Sequence, residues 1–185
     1  MKKDIKVGTC LAPVPVVMVS CKEGERENIT TVAWTGVINS EPPFVYISLR
    51  KSRLSYEIIQ KTKEFVINIP NDKLVVETDY CGTKSGREVD KWQEMKLTKE
   101  KAQKVDVPMI AECPIQLECE VKEIKELGSH DMLIAEVVAV HAEEEYVKES
   151  GAIDYEKANL LTYAGTSYLT QNRKVATRGV SVKEK

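Results

Sequence analysis

The segment RKSR, residues 50–53, combines three cationic side chains with a hydroxyl group. It lies between a predicted strand, residues 44–50, and a predicted helix with Ser52 as its N-cap. Free N–H groups of a first helical turn, the helix dipole and these side chains together favour an anion such as phosphate. The alternative is a capped surface helix with solvated basic residues, since so short a signal has little specificity.

A segment of small and hydroxyl residues, NITTVAWTG, occupies residues 28–36. In a strand, Thr31, Ala33 and Thr35 share one face, and Trp34 lies on the other. Small residues let a flat ligand approach the backbone, and hydroxyl groups can bind its polar edge. The alternative for Trp34 is an aromatic residue of the core.

Other residue types with reactive chemistry do not form a recognisable site. The five cysteines are Cys10, Cys21, Cys81, Cys113 and Cys119. Because they form no CxxC pair and their number is odd, neither a disulfide scaffold nor a metal site is indicated. We expect buried structural thiols at Cys21 and Cys119, and a strand that holds Cys113 and Cys119 on one face about 20 Å apart. The segment GTKSGRE lacks the Walker spacing, and a simple loop explains it.

Hydrophobic periodicity predicts short strands and one well-defined helix. The predicted strands are residues 14–21, 28–34, 44–50, 64–70, 114–127, 131–144 and one segment within 160–171. The helix follows residue 52, with Leu54, Ile58 and Ile59 at helical spacing. The first two strands are expected to form a hairpin with a loop longer than the tightest type. Residues 71–108 are polar, with Gly82 and Gly86, and are expected to form short helices and loops without sheet.

The composition is that of an ordinary globular protein, with 42% hydrophobic and 30% charged residues. The net charge of −2 offers no general attraction to nucleic acid or an anionic membrane. No long apolar run follows the N-terminus, so we expect a soluble cytoplasmic protein. The length predicts a single domain over residues 1–185, with a core at about 10–170 and a basic, mobile tail at 172–185.

Short strands with mostly local connections and few helices predict a closed or partly closed barrel. The fold class that we predict is mainly β: a six- to seven-stranded antiparallel Greek-key split β-barrel with a few short helices. Closure of the barrel would also remove exposed sheet edges.

The order of several segments resembles the flavin reductase-like, or flavoredoxin, family with its FMN-binding split barrel. The matching segments are PVPVVMVS, NITTVAW, SEPPFVYISLRKSRLSYEII, KEFVINIP, SGREVDKW, GSHDMLIAEVVAVH and LLTYAGTSYL. They extend from Val14 to Leu169, nearly the whole chain. Each motif is degenerate, but their combination is specific.

The resemblance implies a homodimer that binds FMN noncovalently near the dimer interface. Residues 31–35 would lie along the isoalloxazine ring, residues 48–55 would bind the ribityl chain and phosphate, and residues 91–92 would cover the flavin from one of the two subunits. The residues assigned to FMN binding are Asn28, Thr31, Val32, Ala33, Trp34, Thr35, Ser48, Leu49, Arg50, Ser52, Ser55, Lys91 and Trp92.

His130 belongs to a Gly-Ser-His segment where flavin reductases of the family carry Gly-Asp-His. The resemblance implies a nicotinamide contact for His130. The missing aspartate leaves open a flavoredoxin-like alternative in which a redox protein supplies the electrons. A plain turn histidine is a further alternative. His141 is interpreted as an ordinary strand residue near a rim.

The first functional hypothesis is an FMN-dependent oxidoreductase that passes electrons from NAD(P)H or a redox partner to a flavin, ferric ion or protein. No catalytic side chain is assigned, because the flavin would carry the chemistry. A second hypothesis is a noncatalytic barrel that binds a nucleotide or oligonucleotide, although 6% aromatic residues and near-neutral charge disfavour oligonucleotides. A third is a flavin-storage protein without turnover.

Overall fold

The protein is described by a computed structural model over residues 1–171 and 173–182. The strands are β1 (Val14–Pro15), β2 (Val17–Glu23), β3 (Arg26–Val32), β4 (Thr35–Ser40), β5 (Pro43–Leu49), β6 (Glu64–Ile69), β7 (Lys99–Lys101), β8 (Pro108–Ile110), β9 (Ile115–Glu126), β10 (Asp131–Ala142), β11 (Leu161–Ala164) and β12 (Ser167–Thr170). The helices are α1 (Leu54–Thr62), α2 (Val75–Thr83), α3 (Lys91–Glu94) and α4 (Tyr155–Ala158), with 3₁₀ turns at Asp72–Leu74 and Glu144–Tyr146.

A seven-stranded antiparallel sheet in the order β3-β2-β6-β9-β10-β5-β4 dominates the fold. Its two edge strands, β3 and β4, are consecutive in the chain and are joined only by Ala33 and Trp34. The N–H of Ser48 donates to the Trp34 carbonyl at 2.9 Å, which ties this connection to β5. The curved sheet therefore has a seam where its edges approach, and the predicted mainly β split barrel is confirmed.

The main core lies inside this curved sheet and is closed by α1. Ile58 and Ile59 of the helix and Phe65 of β6 are fully buried, and Ile47 and Leu133 face them from β5 and β10. Each such side chain contributes about 1.5–3 kcal/mol relative to an exposed one. Leu54 and Ile58, at i, i+4 spacing, both pack into this core, so α1 forms where the sequence predicts it. The packing of α1 also positions the loop that precedes it.

Two hairpins with tight turns differ from the prediction. Strand β2 pairs with β3 through Glu23 and Arg26, so only Gly24 and Glu25 connect them, and the expected longer loop is wrong. Gly24 adopts φ +61°, which a two-residue hairpin requires. Similarly, the segment expected to form one strand within 160–171 is a hairpin of β11 and β12 that turns at Gly165, with φ +64°. Together with β1 this hairpin forms a separate three-stranded sheet.

Three strands, β4, β7 and β8, were not predicted. Strand β4 pairs with β5 along residues 35–40, where Gly36, Asn39 and Ser40 leave little strand signal. Strand β7 lies within the region expected to lack sheet and pairs with β8, so that prediction is wrong there. These strands are ordered by pairing with the adjacent strand, which the propensity of each short segment alone does not reveal.

The cysteines are all free; Cys10 is exposed and the other four are buried. Cys113 precedes β9 and packs beside Met18 and Ile29, whereas Cys119 lies in β9 within the main core. Their predicted common strand is therefore wrong, because Pro114 separates Cys113 from the start of the ladder. Burial raises the pKa of Cys113 and Cys119 well above the usual thiol range, which makes both inert structural thiols.

The predicted C-terminal tail is only partly described. Residues 173–182 form no helix or strand and are almost entirely exposed, while Asn172 and residues 183–185 lie outside the described residues. Within residues 1–171 and 173–182, no helix has both the length and the apolar character needed to span a membrane.

Candidate functional site

A groove runs along the seam, between the end of β3, the β3–β4 connection and the start of α1. It consists of two cavities of about 150 Å³ and 320 Å³. Thr30, Arg50 and Arg53 line both cavities, so they form one continuous depression.

The first cavity collects the predicted small-residue segment and His130. Its lining residues are Thr30, Thr31, Val32, Ala33, Trp34, Ser48, Leu49, Arg50, Arg53 and His130. The rings of Trp34 and His130 lie 4.5 Å apart at 49°. Trp34 is 43% exposed and is thus a wall of the groove instead of a core aromatic. The exposed Trp34 ring offers a flat apolar surface to a ring-shaped ligand.

His130 lies next to cationic side chains but carries no acidic partner among the described residues. Partial burial, together with Arg50 and Arg53, lowers the pKa of His130 below its usual value. Its Nδ1 shares a hydrogen bond of 3.0 Å with the Ser129 hydroxyl. His130 is therefore neutral at pH 7 and can donate or accept a hydrogen bond without adding charge.

The residue after His130 anchors this end of the groove. Asp131 is fully buried and accepts a hydrogen bond of 2.6 Å from the Tyr56 hydroxyl of α1. Lys51 Nζ lies 3.5 Å from the same carboxylate and 2.8 Å from Glu126. Asp131 thus ties the start of β10 to α1 and to the basic segment.

The second cavity is strongly cationic. Its lining residues are Asn28, Thr30, Arg50, Ser52, Arg53, Leu54, Lys84, Ser85, Gly86 and Lys91. Four of these are cations and none is a carboxylate. Arg50, Arg53 and Lys84 form no ion pair among the described residues, although many other basic side chains do. Such an excess of unpaired positive charge around one cavity favours an anionic ligand.

The N-terminus of α1 opens into the second cavity. The turn closed by Arg53 N–H and the Arg50 carbonyl, at 3.0 Å, delays the helix by one residue, so the N-cap is Arg53 and the predicted Ser52 cap is wrong. The Arg53 side chain makes no capping hydrogen bond. The first-turn N–H groups and the Ser52 hydroxyl thereby stay available to an anion.

Lys91 forms the floor of this cavity. The residue is only 3% exposed, and its Nζ donates to the carbonyls of Ile29 and Cys81, each at 2.7 Å. Burial, with a contribution from Arg53, lowers the pKa of Lys91 to about 8. A lysine without a carboxylate partner at such depth adds positive charge beneath the groove only while it holds its proton.

Asn28 is held by two close neighbours. Its Nδ2 donates to the Ser55 hydroxyl at 2.8 Å, and Gly86 packs so tightly against it that a Cβ at Gly86 would overlap the Asn28 amide. Ser55 itself is fully buried and lies behind the cavity, where it positions Asn28.

The loop of residues 84–87, which we term the strap, forms the wall opposite Ser52. It leaves α2 where Lys84 N–H donates to the Tyr80 carbonyl at 2.9 Å. At its other end, Arg87 Nη2 contacts Glu57 of α1 at 2.9 Å. The same Glu57 carboxylate also pairs with Arg26 of β3. The strap is therefore fixed to both sides of the groove.

The structure brings most predicted site residues together, but not all. Asn28, the residues 31–34, residues 48–50, Ser52, Lys91 and His130 line the groove. Thr35 instead donates to the Tyr46 carbonyl at 2.6 Å and supports β4. Trp92 is buried against Met18 and Ile29 and lines neither cavity, and Ser55 lies behind Asn28.

Sequence reasoning missed six lining residues: Thr30, Arg53, Leu54, Lys84, Ser85 and Gly86. Thr30, Arg53 and Leu54 lie in segments that the sequence analysis singled out, but these three residues were not assigned to the site. The other three lie in GTKSGRE, which was interpreted as a simple loop. Its Lys-Ser-Gly composition was a usable signal, but its position opposite residues 50–53 depends on the fold.

Among the described residues, no group of three or more histidine, cysteine or acidic side chains is placed to hold a metal ion.

Comparison with known proteins identifies the class of this fold and groove. The family described as "Flavin reductase like domain" matches residues 10–170, so the chain belongs to that family. A solved flavoredoxin of Desulfovibrio vulgaris (Miyazaki F) is 30% identical, with a TM-score of 0.93 over 99% of this chain and 100% of that one. A flavoredoxin from Methanosarcina acetivorans is 27% identical, with a TM-score of 0.87 over 98% of this chain and 100% of that one. An uncharacterized protein of Pyrococcus abyssi is 30% identical over 73% of this chain and 77% of its own.

Proposed function

We propose that the protein binds FMN in the groove and passes electrons through it from NAD(P)H or a redox protein to an acceptor such as a flavin, a ferric ion or a protein. The observation that carries this proposal is the pairing of two unlike cavities. One has small residues and an aromatic wall, and the other has four cations without an acid. A flavin mononucleotide has the matching ends, a flat ring and a phosphate.

The residues present fit FMN by their donor chemistry. The cations Arg50, Arg53 and Lys84 would hold the phosphate. The Ser52 hydroxyl and the free N–H groups of α1 would add hydrogen bonds to it. Trp34 and the residues 30–33 would hold the ring. FMN supplies the electron-transfer chemistry when bound.

The side chains of the groove then have electrostatic and positioning tasks. Arg50 and Arg53, which line both cavities, would supply positive charge beside a bound flavin and so favour its anionic form. Neutral His130 extends the wall formed by Trp34 and is the candidate contact for a nicotinamide ring. Asp131 and Tyr56 fix the backbone beside it.

The first experiment asks whether flavin is bound. The purified protein should show flavin absorbance bands and release FMN on denaturation. A colourless protein that takes up no added FMN would refute the proposal and favour a noncatalytic barrel.

The second experiment locates the phosphate. Combined Arg50→Ala and Ser52→Ala substitutions should weaken FMN binding about 10- to 100-fold, because charge-assisted hydrogen bonds are lost. Riboflavin, which lacks the phosphate, should lose much less. Lys125→Ala is the matched control, since Lys125 is exposed and lines neither cavity. Equal losses for both flavins would show that the phosphate lies elsewhere.

The electron donor separates an enzyme from a carrier. Anaerobic mixing with NADH or NADPH should bleach bound flavin if His130 serves a nicotinamide. Absence of bleaching with both would favour a carrier fed by a redox protein, and bleaching by neither nucleotide nor chemical reductant would favour storage.

A further inference from the structure

Lys91 is an unusual cation because its surroundings contain no carboxylate that would keep it charged. Its ammonium group lies beneath the second cavity, with Ile29 and Cys81 carbonyls accepting two of its three N–H groups at 2.7 Å. Carbonyl dipoles satisfy hydrogen bonds but carry no net charge. The third N–H direction remains for a ligand in the cavity.

The groups facing Lys91 from neighbouring elements are neutral thiols or cations. Burial raises the pKa of Cys21 on β2 to about 12 and that of Cys81 on α2 to about 11, so both are uncharged near neutral pH. From the basic segment and the strap, Arg50, Arg53 and Lys84 line the same cavity. These cations oppose protonation of Lys91 while the cavity lacks an anion.

The acids on the elements around Lys91 do not contact it. On α2, one carboxylate oxygen of Glu77 is buried without a hydrogen-bond partner, but Glu77 does not line the cavity. On the helix of Lys91, the Asp90 carboxylate caps α3 by accepting from the N–H groups of Trp92 and Gln93 at 2.9 Å and 3.3 Å. Glu94 is exposed. On β3, Glu27 pairs with Lys99. No acid therefore lines the cavity or contacts the Lys91 ammonium among the described residues.

We propose that Lys91 takes up a proton when the second cavity binds a phosphate monoester, so that phosphate binding and proton binding are linked in this protein. This proposal rests on the proposed function, since FMN would be the monoester. The phosphate dianion offsets the positive charge of Arg50, Arg53 and Lys84 and supplies the missing partner for the ammonium group.

The direction of the proton linkage and its pH range follow from the protonation state of Lys91 before FMN binds. With its pKa near 8 in the free protein, Lys91 is charged at pH 7 and mostly neutral at pH 9.5. Binding of a dianion raises that pKa, so protons are taken up above pH 8 and affinity falls as pH rises. The second phosphate pKa lies near 6, and the raised thiol and lowered His130 values lie outside this range.

The test measures FMN binding to the unmodified protein by flavin fluorescence quenching between pH 7 and 9.5. We expect the affinity to fall by about 30-fold across this range for one linked proton. Calorimetry at pH 8.5 in two buffers of different ionisation enthalpy should show uptake of about 0.7 protons per FMN. Riboflavin should show neither effect.

Variants separate Lys91 from its neighbours. Lys91→Arg, which stays charged, and Lys91→Met, which has no charge, should both remove the pH dependence and the proton uptake. Lys84→Met should weaken FMN binding but keep the slope, because Lys84 is an exposed cation of the same cavity.

The outcomes are distinct. FMN binding with a flat pH profile, or an equal slope for riboflavin, would overturn the proton linkage and leave the proposed function intact. A slope that persists in Lys91→Met would assign the linkage to another group. No FMN binding at pH 7 would overturn the proposed function and this inference together.

Discussion

At the scale of single residues, the second cavity depends on a contact that allows no side chain. Gly86 lies on the Asn28 amide, which the Ser55 hydroxyl holds from behind. Asn28 and Gly86 both line the cavity. The strap can approach β3 only because residue 86 lacks a Cβ.

The substitution Gly86→Ala should therefore displace the strap or Asn28. We expect a loss of about 1–3 kcal/mol in the free energy of unfolding, as for other overpacked sites, and weaker FMN binding. Urea denaturation and flavin titration measure the two effects. Gly8→Ala is the control, because a Cβ there meets only the Cys10 Sγ at 3.9 Å; equal effects of both substitutions would contradict the steric explanation.

Glu57 is the carboxylate that holds the strap. Hydrogen bonds from Arg26 and Arg87 lower the pKa of Glu57 to about 2. A carboxyl group with a lowered pKa stabilises the fold above its ordinary value of 4.5, and this contribution is lost as the pH falls toward 2. The Glu57–Arg87 ion pair that holds the strap is thus fully formed at neutral pH.

Replacement of Glu57 by Gln should release Arg87 and weaken FMN binding by up to about fivefold, the range of exposed ion pairs. Flavin titration measures this effect at low and high salt, since salt should reduce it. Glu88→Gln is the control from the neighbouring chain segment. An unchanged FMN affinity in Glu57→Gln would show that the position of the strap does not depend on the Glu57–Arg87 ion pair.

Local chemistry predicted much of the candidate site, but it did not reveal which side chains face inward. Small residues near Ala33 and the basic segment are continuous in sequence, so their joint position follows from one strand and its return. Lys84 and Ser85 are brought in from a distant loop, which no local pattern indicates. Thr35 and Trp92 were assigned by resemblance, and their burial depends on side-chain packing beyond sequence pattern.

At the scale of elements, a buried acid organises an irregular loop. The Glu118 carboxylate of β9 is fully buried and accepts from the N–H groups of Gln103, Lys104 and Val105 at 2.6–2.9 Å. His141 Nε2 lies 2.6 Å from the same group. Although burial opposes ionisation, these hydrogen bonds lower the pKa of Glu118 overall.

Glu118→Gln should cost about 3 kcal/mol of unfolding free energy, because the loop amides lose a charged acceptor. The wild-type protein should lose this contribution as the pH falls below about 4.5, and the variant should lack that part of the pH dependence. Urea denaturation between pH 3 and 7 tests both. Exposed Glu123→Gln should behave as the wild type; a similar loss there would rule out a specific role for Glu118.

Helices and strands were predicted well where one face is buried, because hydrophobic residues then recur along the chain with a regular period. Helix α1 and the long strands β9 and β10 each present a clear apolar face, and their bounds agree closely with expectation. Strand β4 is mostly exposed and was missed, since its order comes from pairing with β5. The charged β7 was missed for the same reason.

At the scale of the whole molecule, one edge of the sheet exposes apolar side chains. Val37 and Ile38 of β4 are 80% and 46% exposed, and Trp34 precedes them. An exposed apolar edge strand is a surface that proteins usually cover. We propose that a second copy of the chain covers it.

Light scattering after size-exclusion chromatography should accordingly give about twice the chain mass of 20.8 kDa. Val37→Glu should shift the protein toward the monomer, because a charge would be buried at the interface. Exposed Val175→Glu in the C-terminal segment is the control. A monomeric wild-type protein at micromolar concentration would exclude this assembly.

The seam is the place where the barrel lacks sheet hydrogen bonds between its edge strands, and it coincides with the candidate ligand site. Strands β3 and β4 are neighbours in sequence but opposite ends of the sheet, and Ala33 and Trp34 bridge them beside the groove. A bound ligand would contact the end of β3, the β3–β4 connection and the start of α1 at once, and would thereby hold them together. Opening of the barrel at this point would first require the ligand to leave, so occupancy of the groove and resistance to unfolding would rise together.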